Sequence, residues 1–346
     1  MIRSNFRRNR VDRARHWIVD PRQRGKAMAA VAQTESDADG KGAPGAHWRK
    51  WLLAIALAAL AAFLLWRTFG RIPPGEIAAQ IQSMPSSSLA GAAGFAVLSY
   101  LCLGLFDYLG LHYAGRPLRY HQAAFASFTA LSLGHTIGLA ALSSGAVRYR
   151  FYSRWGLSTE EIAKVILFCG VTVGLGLAAL GSAALLWRPD LASRLAGIAP
   201  ATAIALGLVG AIVCATYVLA CFLIRRPLHV RSWTFSFPAP RLALAQLVVG
   251  TANFATVAAC LHQVIGGVAE AGYPDVAAAY VIANCAALLS HVPGGLGVIE
   301  AVVTSMIGGT IVGALVMFRV IYFLVPFVLG ATLLVASELL LRSDKR

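Results

Sequence analysis

Charge is what this chain has least of. Only 13% of its 346 residues are Asp, Glu, Lys or Arg, where a water-soluble domain carries roughly a quarter. That excludes an ordinary soluble globule, and the 58% hydrophobic content fills the gap. The cysteines, six in all, include no C-x-x-C pair. They sit inside apolar runs as small packing residues, which argues against a metal site or a disulfide framework. There is no G-x-x-x-x-G-K-[ST] loop, G-x-S-x-G elbow or H-E-x-x-H pair, so no ATP motor, serine hydrolase or zincin is written here, and no cofactor is expected. The first fifty residues lack the apolar core of a signal peptide.

What is present is a series of long apolar runs: 52–66, 89–105, 171–187, 201–224, 242–261 and 320–336. A membrane span needs about 20 mostly apolar residues. With two shorter pieces these make about eight hydrophobic segments, and an all-α polytopic membrane bundle is expected. The formal charge of +15 does not indicate nucleic acid, because no basic groove with interleaved aromatics exists. Twelve Lys/Arg and five Asp/Glu lie in residues 1–50, and most other cations fall in short loops, as orientation signals do. Three regions follow: a basic, disordered cytoplasmic tail over 1–47, a membrane domain over 48–342 and a short cytoplasmic tail over 343–346. Met28 offers a second start, and residues 1–27 read as an over-extended one.

The positive-inside rule orients the chain. The basic tail places the N-terminus in the cytoplasm. The turn-rich loop 71–88 is outside, and the basic link Arg116-Pro117-Leu118-Arg119 is inside. Segment 122–142, rich in Ser, Thr and Gly, precedes Arg148, Arg150 and Arg154. If it spanned, those arginines would lie outside; if it dips in and returns, they stay inside and every later loop keeps its expected side. A re-entrant segment is therefore predicted. Two short apolar pieces, 276–292 and 297–312, flank Pro293-Gly294-Gly295, as a second re-entrant hairpin or two short spans. The last helix returns the C-terminus to the cytoplasm. Helices interrupted in the two halves of a membrane protein are the sequence pointer to a transport site.

A charge at the centre of a membrane helix costs about 2.5–3.5 kcal/mol on insertion scales, so four residues stand out. Asp107, flanked by Gly104 and Gly110 that let a neighbour approach, binds a cationic headgroup or relays a proton, or else pairs with a membrane arginine to hold the bundle. Glu300 follows the break Pro293, Gly294, Gly295 and Gly297 and enters the first turn of a helix. There its charge is favoured by the dipole, although the same helix start could attract a lipid phosphate and the carboxylate could merely cap. Arg148, with Arg150, offers forked donors suited to phosphate, against the plainer reading of orientation signals. Arg319 pairs with Glu300 or Asp107, or meets substrate. His135 and His291 border the two breaks as packing residues or proton relays. The pairs Gly170/Gly174 and Gly309/Gly313 have small-xxx-small spacing and are expected at helix crossings.

Two stretches, SLGHTIGLAALSSGAVRYRFY at 132–152 with WGLSTEEIAK at 155–164, and LSHVPGGLGVIE at 289–300, resemble the membrane region of the lysylphosphatidylglycerol synthetase/flippase family, the multiple peptide resistance factors. The tail FRVIYFLVP at 318–326 is similar as well, and the resemblance covers about 48–341. It implies an inner-membrane domain that exposes aminoacylated phosphatidylglycerol on the outer leaflet and so weakens the attraction of cationic antimicrobial peptides. It also implies that Asp107, Arg148, Glu300 and Arg319 fall where that family keeps polar membrane residues. Bifunctional members carry a soluble C-terminal domain that transfers the aminoacyl group; this chain stops at Arg346, so synthase activity would need a separate soluble aminoacyltransferase as partner. A homo-oligomer is compatible with the sequence.

Overall fold

The computed structural model describes residues 74–343, apart from 138–139, 191–192, 194–196, 225–227, 231–232, 291–294 and 309–310. The tail, the first apolar run 52–66, His291, Pro293, Gly294 and Gly309 therefore lie outside the described residues. Eleven helices are numbered here: α1 (Pro74–Ser83), α2 (Ser86–Tyr113), α3 (Tyr120–Ile137), α4 (Ala140–Arg154), α5 (Thr159–Trp187), α6 (Pro200–Leu223), α7 (Pro240–Gly266), α8 (Tyr273–Ser290), α9 (Val298–Ile307), α10 (Val312–Arg319) and α11 (Val325–Ser343). A π turn, Val320–Leu324, joins the last two, and a small antiparallel ribbon of β1 (Leu228–Val230) and β2 (Trp233–Phe235) precedes α7. Among the described residues, α2, α5, α6, α7, α8 and the run Val312–Glu338 are long and apolar enough to cross a bilayer. The molecule is a multi-pass helical membrane protein.

Local chemistry explains the boundaries. Helix α4 ends at Gly156, whose φ of +85° is cheap only for glycine. Helix α5 then opens with a capping box: Ser158 Oγ accepts from the Glu161 amide at 3.3 Å, and Glu161 Oε2 accepts from the Ser158 amide at 2.7 Å. Proline starts α6 and α7, where its missing N–H costs nothing. Within the last span, Pro326 cannot donate to the Tyr322 carbonyl four residues back. The ladder widens to a π turn there, and the Tyr100 hydroxyl donates to the Tyr322 carbonyl at 3.3 Å instead.

Contacts among the loops define two ends of the bundle. At one end, Arg116 Nε donates to Glu161 Oε1 at 2.8 Å, joining the link that enters α3 to the start of α5. Helices α3 and α4 pack on each other, so the segment 120–154 enters and leaves at the same end. This is the re-entrant hairpin that the arginine positions predict. The Tyr113 hydroxyl donates to the Ser236 carbonyl at 2.7 Å, bringing the loop before α7 to that end. At the other end, Arg188 meets Asp275 at 3.1 Å, and Gly267 packs against Met84 and Pro85. Helix α9 packs back on α8, and the Gly313 amide at the start of α10 donates to Gln80 Oε1 of α1 at 2.6 Å. The second hairpin thus enters from the end opposite to the first.

The close crossings are made by glycines, though not all of those expected. Gly104 admits Ala124 of α3, and Gly110 admits Val165 of α5, as their places beside Asp107 suggest. Gly313 packs on Gln80. Gly170 and Gly174 have nothing within 4 Å of where a Cβ would stand and are exposed, so their spacing marks no crossing among the described residues. That crossing belongs to Gly176 of α5 and Gly250 of α7, where backbones touch: a Cβ on Gly250 would lie 2.6 Å from the Thr172 carbonyl oxygen.

Candidate functional site

The four membrane charges are brought together in pairs. Asp107, fully buried on α2, takes a bidentate fork from Arg148 of α4, Nε to Oδ2 at 2.8 Å and Nη2 to Oδ1 at 2.7 Å. The Tyr152 hydroxyl donates to Oδ2 at 2.5 Å, and the Cys169 thiol lies 3.5 Å from Oδ1. The carboxylate therefore has donors from α4 twice and from α5 once. Arg148 and Tyr152 stand one turn apart on the same face of α4, which is why one carboxylate reaches both. Of the two readings of Asp107, the partnered one describes this geometry, and the partner is Arg148 rather than Arg319.

Arg319 pairs with Glu300. Its Nε donates to Oε1 at 2.6 Å and Nη2 to Oε2 at 3.1 Å, while Nη2 also donates to the Gly295 carbonyl at 3.0 Å. The guanidinium lies over the Phe323 ring, 4.7 Å from its centroid. Glu300 Oε2 accepts the Gly297 amide at 2.8 Å as well, so the capping and pairing readings both hold. Gly295 and Gly297, at φ +60° and +80°, let the chain turn sharply into α9, and a Cβ at Gly295 would run into Ala287 of α8. Glu300 keeps 20% of its side chain exposed, whereas Asp107 keeps none.

Arg150 lies apart from both pairs. Together with Arg154 it clasps Glu338 near the end of α11, Arg150 Nε to Oε1 at 2.6 Å and Arg154 Nη1 to Oε1 at 2.9 Å, on a half-exposed surface.

Described residues beside the two interruptions, His135 on one side and Gly295 and Glu300 on the other, meet one stretch of the last span. His135, near the tip of the first, stacks on Tyr322 with centroids 6.5 Å apart and meets Phe323 edge-on at 6.3 Å. Arg319, bound to the break of the second hairpin, covers the other side of that neighbourhood. Behind them Ser99 Oγ donates to Asn253 Oδ1 at 2.8 Å and shares a hydrogen bond with the Tyr322 hydroxyl at 2.9 Å. His135 Nδ1 is buried and has no hydrogen-bond partner among the described residues. Sequence reasoning did not find Ser99, Asn253 or Tyr322; the signal available was two polar side chains within otherwise oily runs and a tyrosine one turn before a proline. Among the described residues no group of three His, Cys, Asp or Glu side chains could hold a metal ion.

A bundle of helices long and apolar enough to span, with two hairpins packed in from opposite ends and a buried or part-buried ion pair held by each, is that of an integral membrane protein. The family model of the lysylphosphatidylglycerol synthase transmembrane region matches residues 51–330, and the chain belongs to that family. The Synechocystis protein slr0712 is 27% identical over 311 residues, covering 86% of this chain and 96% of its own. Inner membrane protein YbhN of Escherichia coli is 28% identical over 263 residues, covering 70% of this chain and 78% of its own.

Proposed function

We propose that this protein is a lipid translocator of the bacterial inner membrane, carrying phosphatidylglycerol or its lysyl form between leaflets. The observation that carries this reading is the meeting of His135 from the first hairpin and Gly295 and Glu300 from the second at Arg319–Phe323. Broken backbone at membrane depth is tolerated where it is buried in protein or lines a watery cavity, and the Glu300–Arg319 pair stands at that point. The Arg319 fork suits the lipid phosphate, and Glu300, the more exposed carboxylate of the two pairs, suits a headgroup amine. Arg148 and Asp107, saturated by each other and by Tyr152, serve to hold the first hairpin on α2. His135 flanks the path, while Arg150, held by Glu338 at the bundle's edge, lies off it.

The end that carries Arg116, Arg119, Arg150 and Arg154 is cytoplasmic by the positive-inside rule, and both termini belong with it. Exposure of a cationic lipid on the outer leaflet would lower the surface attraction for cationic antimicrobial peptides. An alternative reading is the membrane subunit of a lipid lysyltransferase with a separate soluble partner; synthesis of aminoacyl lipid by this chain alone would favour an enzyme outright.

The test is lipid exposure in proteoliposomes holding headgroup-labelled phosphatidylglycerol. Paired neutral replacement, Glu300→Gln with Arg319→Gln, avoids stranding a buried charge and is expected to slow exposure at least about tenfold. The pair Asp107→Asn with Arg148→Gln is expected to retain it. Wild-type rates from the Glu300/Arg319 variant would overturn the proposal in favour of a purely structural bundle.

A further inference from the structure

One basic side chain beside the Arg319–Phe323 stretch has no partner. His135 of α3 is held by rings, stacked on Tyr322 at 6.5 Å and edge-on to Phe323 at 6.3 Å. A histidine kept for packing ordinarily commits a ring nitrogen to a carbonyl or carboxylate. Among the described residues His135 Nδ1, though buried, commits to none. The residue as a whole keeps part of its surface accessible, which leaves a route for a proton from water.

Around His135 the fixed charges of the described residues cancel. On α4, Arg148 is within reach of the ring and is neutralised by Asp107 of α2. Arg319 of α10 lies over the same Phe323 ring, 4.7 Å from its centroid, and is neutralised by Glu300 of α9. The other titratable groups gathered at Tyr322, namely Tyr100, Cys102 and Cys260, are like Tyr322 acids that can only lose a proton. Helix α11, packed on α3, carries no ionisable group before Glu338, which Arg150 and Arg154 hold. On α3 itself Tyr120 and His121 stand at the other end. An anion arriving at Arg319 therefore brings an uncompensated negative charge, and the one cation this neighbourhood can add is a proton on His135. At an effective dielectric of about 20, that anion raises the proton affinity of the imidazole roughly tenfold from about 10 Å and roughly a hundredfold from about 6 Å. We propose that His135 is the proton-binding residue of the translocation site. It is neutral while the site is empty and takes one proton from water, on the ring nitrogen that holds the lone pair, when an anionic headgroup settles on Arg319. Headgroup and proton then move with their charges cancelled. This deepens the translocation reading and rests on it for the place where the headgroup binds.

Titration calorimetry of the full chain in maltoside micelles with dihexanoyl-phosphatidylglycerol, run in buffers of different ionisation enthalpy, counts the protons taken up on binding. The wild type is expected to take up a proton fraction of about one half or more at its maximum, and to bind at least about fivefold more tightly at about pH 4.5 than at about pH 8. The sign follows from linkage: a group whose proton affinity rises in the complex favours the complex at low pH. Dihexanoyl-phosphatidylcholine, which brings no net charge, should draw no proton. His135→Gln should abolish the uptake and flatten the pH profile. A chain that keeps His135 as its sole histidine, every other one replaced by glutamine, should retain both. Absence of uptake by the wild type, uptake that survives His135→Gln, equal uptake with the choline lipid, or loss of uptake from the sole-histidine chain overturns the proposal. Uptake by a protein that moves no lipid would sink translocation and leave the proton site standing; lipid movement without uptake would do the reverse.

Discussion

Cutting the Asp107–Arg148 pair should be costly singly and cheap jointly. Asp107→Leu strands a guanidinium that is 3% exposed; an uncompensated buried charge costs about 3–5 kcal/mol. It also removes the acceptor of the Tyr152 hydroxyl, worth about 1 kcal/mol more. Arg148→Met leaves the carboxylate buried with only Tyr152 and Cys169 beside it, again about 3–5 kcal/mol. The double variant has no stranded charge, only an unaccepted Tyr152 hydroxyl at about 1–3 kcal/mol. The coupling from the four proteins should therefore reach at least about 3 kcal/mol. Unfolding in mixed micelles by added dodecyl sulfate measures it, with Trp155, packed against Phe151 and Tyr152, as a native reporter. A coupling near the roughly 0.6 kcal/mol average for hydrogen bonds between membrane helices would refute the buried-pair argument.

Other outcomes follow from the same geometry. Gly176→Ala should destabilise by about 1–3 kcal/mol or more, because its methyl meets the Gly250 backbone, whereas Gly170→Ala, with open space around it, should stabilise by about 0.5–1 kcal/mol; micelle unfolding distinguishes them. Tyr322→Phe and Ser99→Ala should each cost about 1 kcal/mol, and the double variant less than the sum, since one shared hydrogen bond joins them. Glu338→Gln should cost under about 1 kcal/mol and less still at high salt, because Arg150 and Arg154 are 49% and 38% exposed. Ser158→Ala should cost about 1 kcal/mol through loss of the capping box at α5.

The interruptions were legible because membrane helices leave few ways to place Pro, Gly and Arg. Counting arginines against the positive-inside rule predicts the first hairpin, and contacts at Arg116 and Glu161 bear out its return. Glu300 and Arg319 were legible as membrane charges, one in the first turn after a break and the other nineteen residues on in the next span, but the sequence left Arg319 between Glu300, Asp107 and substrate, and the structure pairs it with Glu300. Arg148 as the partner of Asp107 was not: it depends on how far α4 folds back along α2, which no local spacing encodes. Gly170 and Gly174 show the same limit in reverse. Small-xxx-small spacing selects a helix face without saying which face meets a neighbour, and here the crossing uses Gly176. The opposed entry of the two hairpins is seen in loop contacts such as Arg188 with Asp275 and Gly313 with Gln80.

The widened turn at Val320–Leu324 has an effect at the far end of its helix. One extra residue in the ladder advances every later side chain by about 100° around the axis, so the azimuth of Glu338 is fixed twelve positions upstream, where Pro326 withholds its N–H. The electrostatic clasp at the bundle's edge and the aromatic nexus at its middle are thereby phased to one another through a single irregularity in winding.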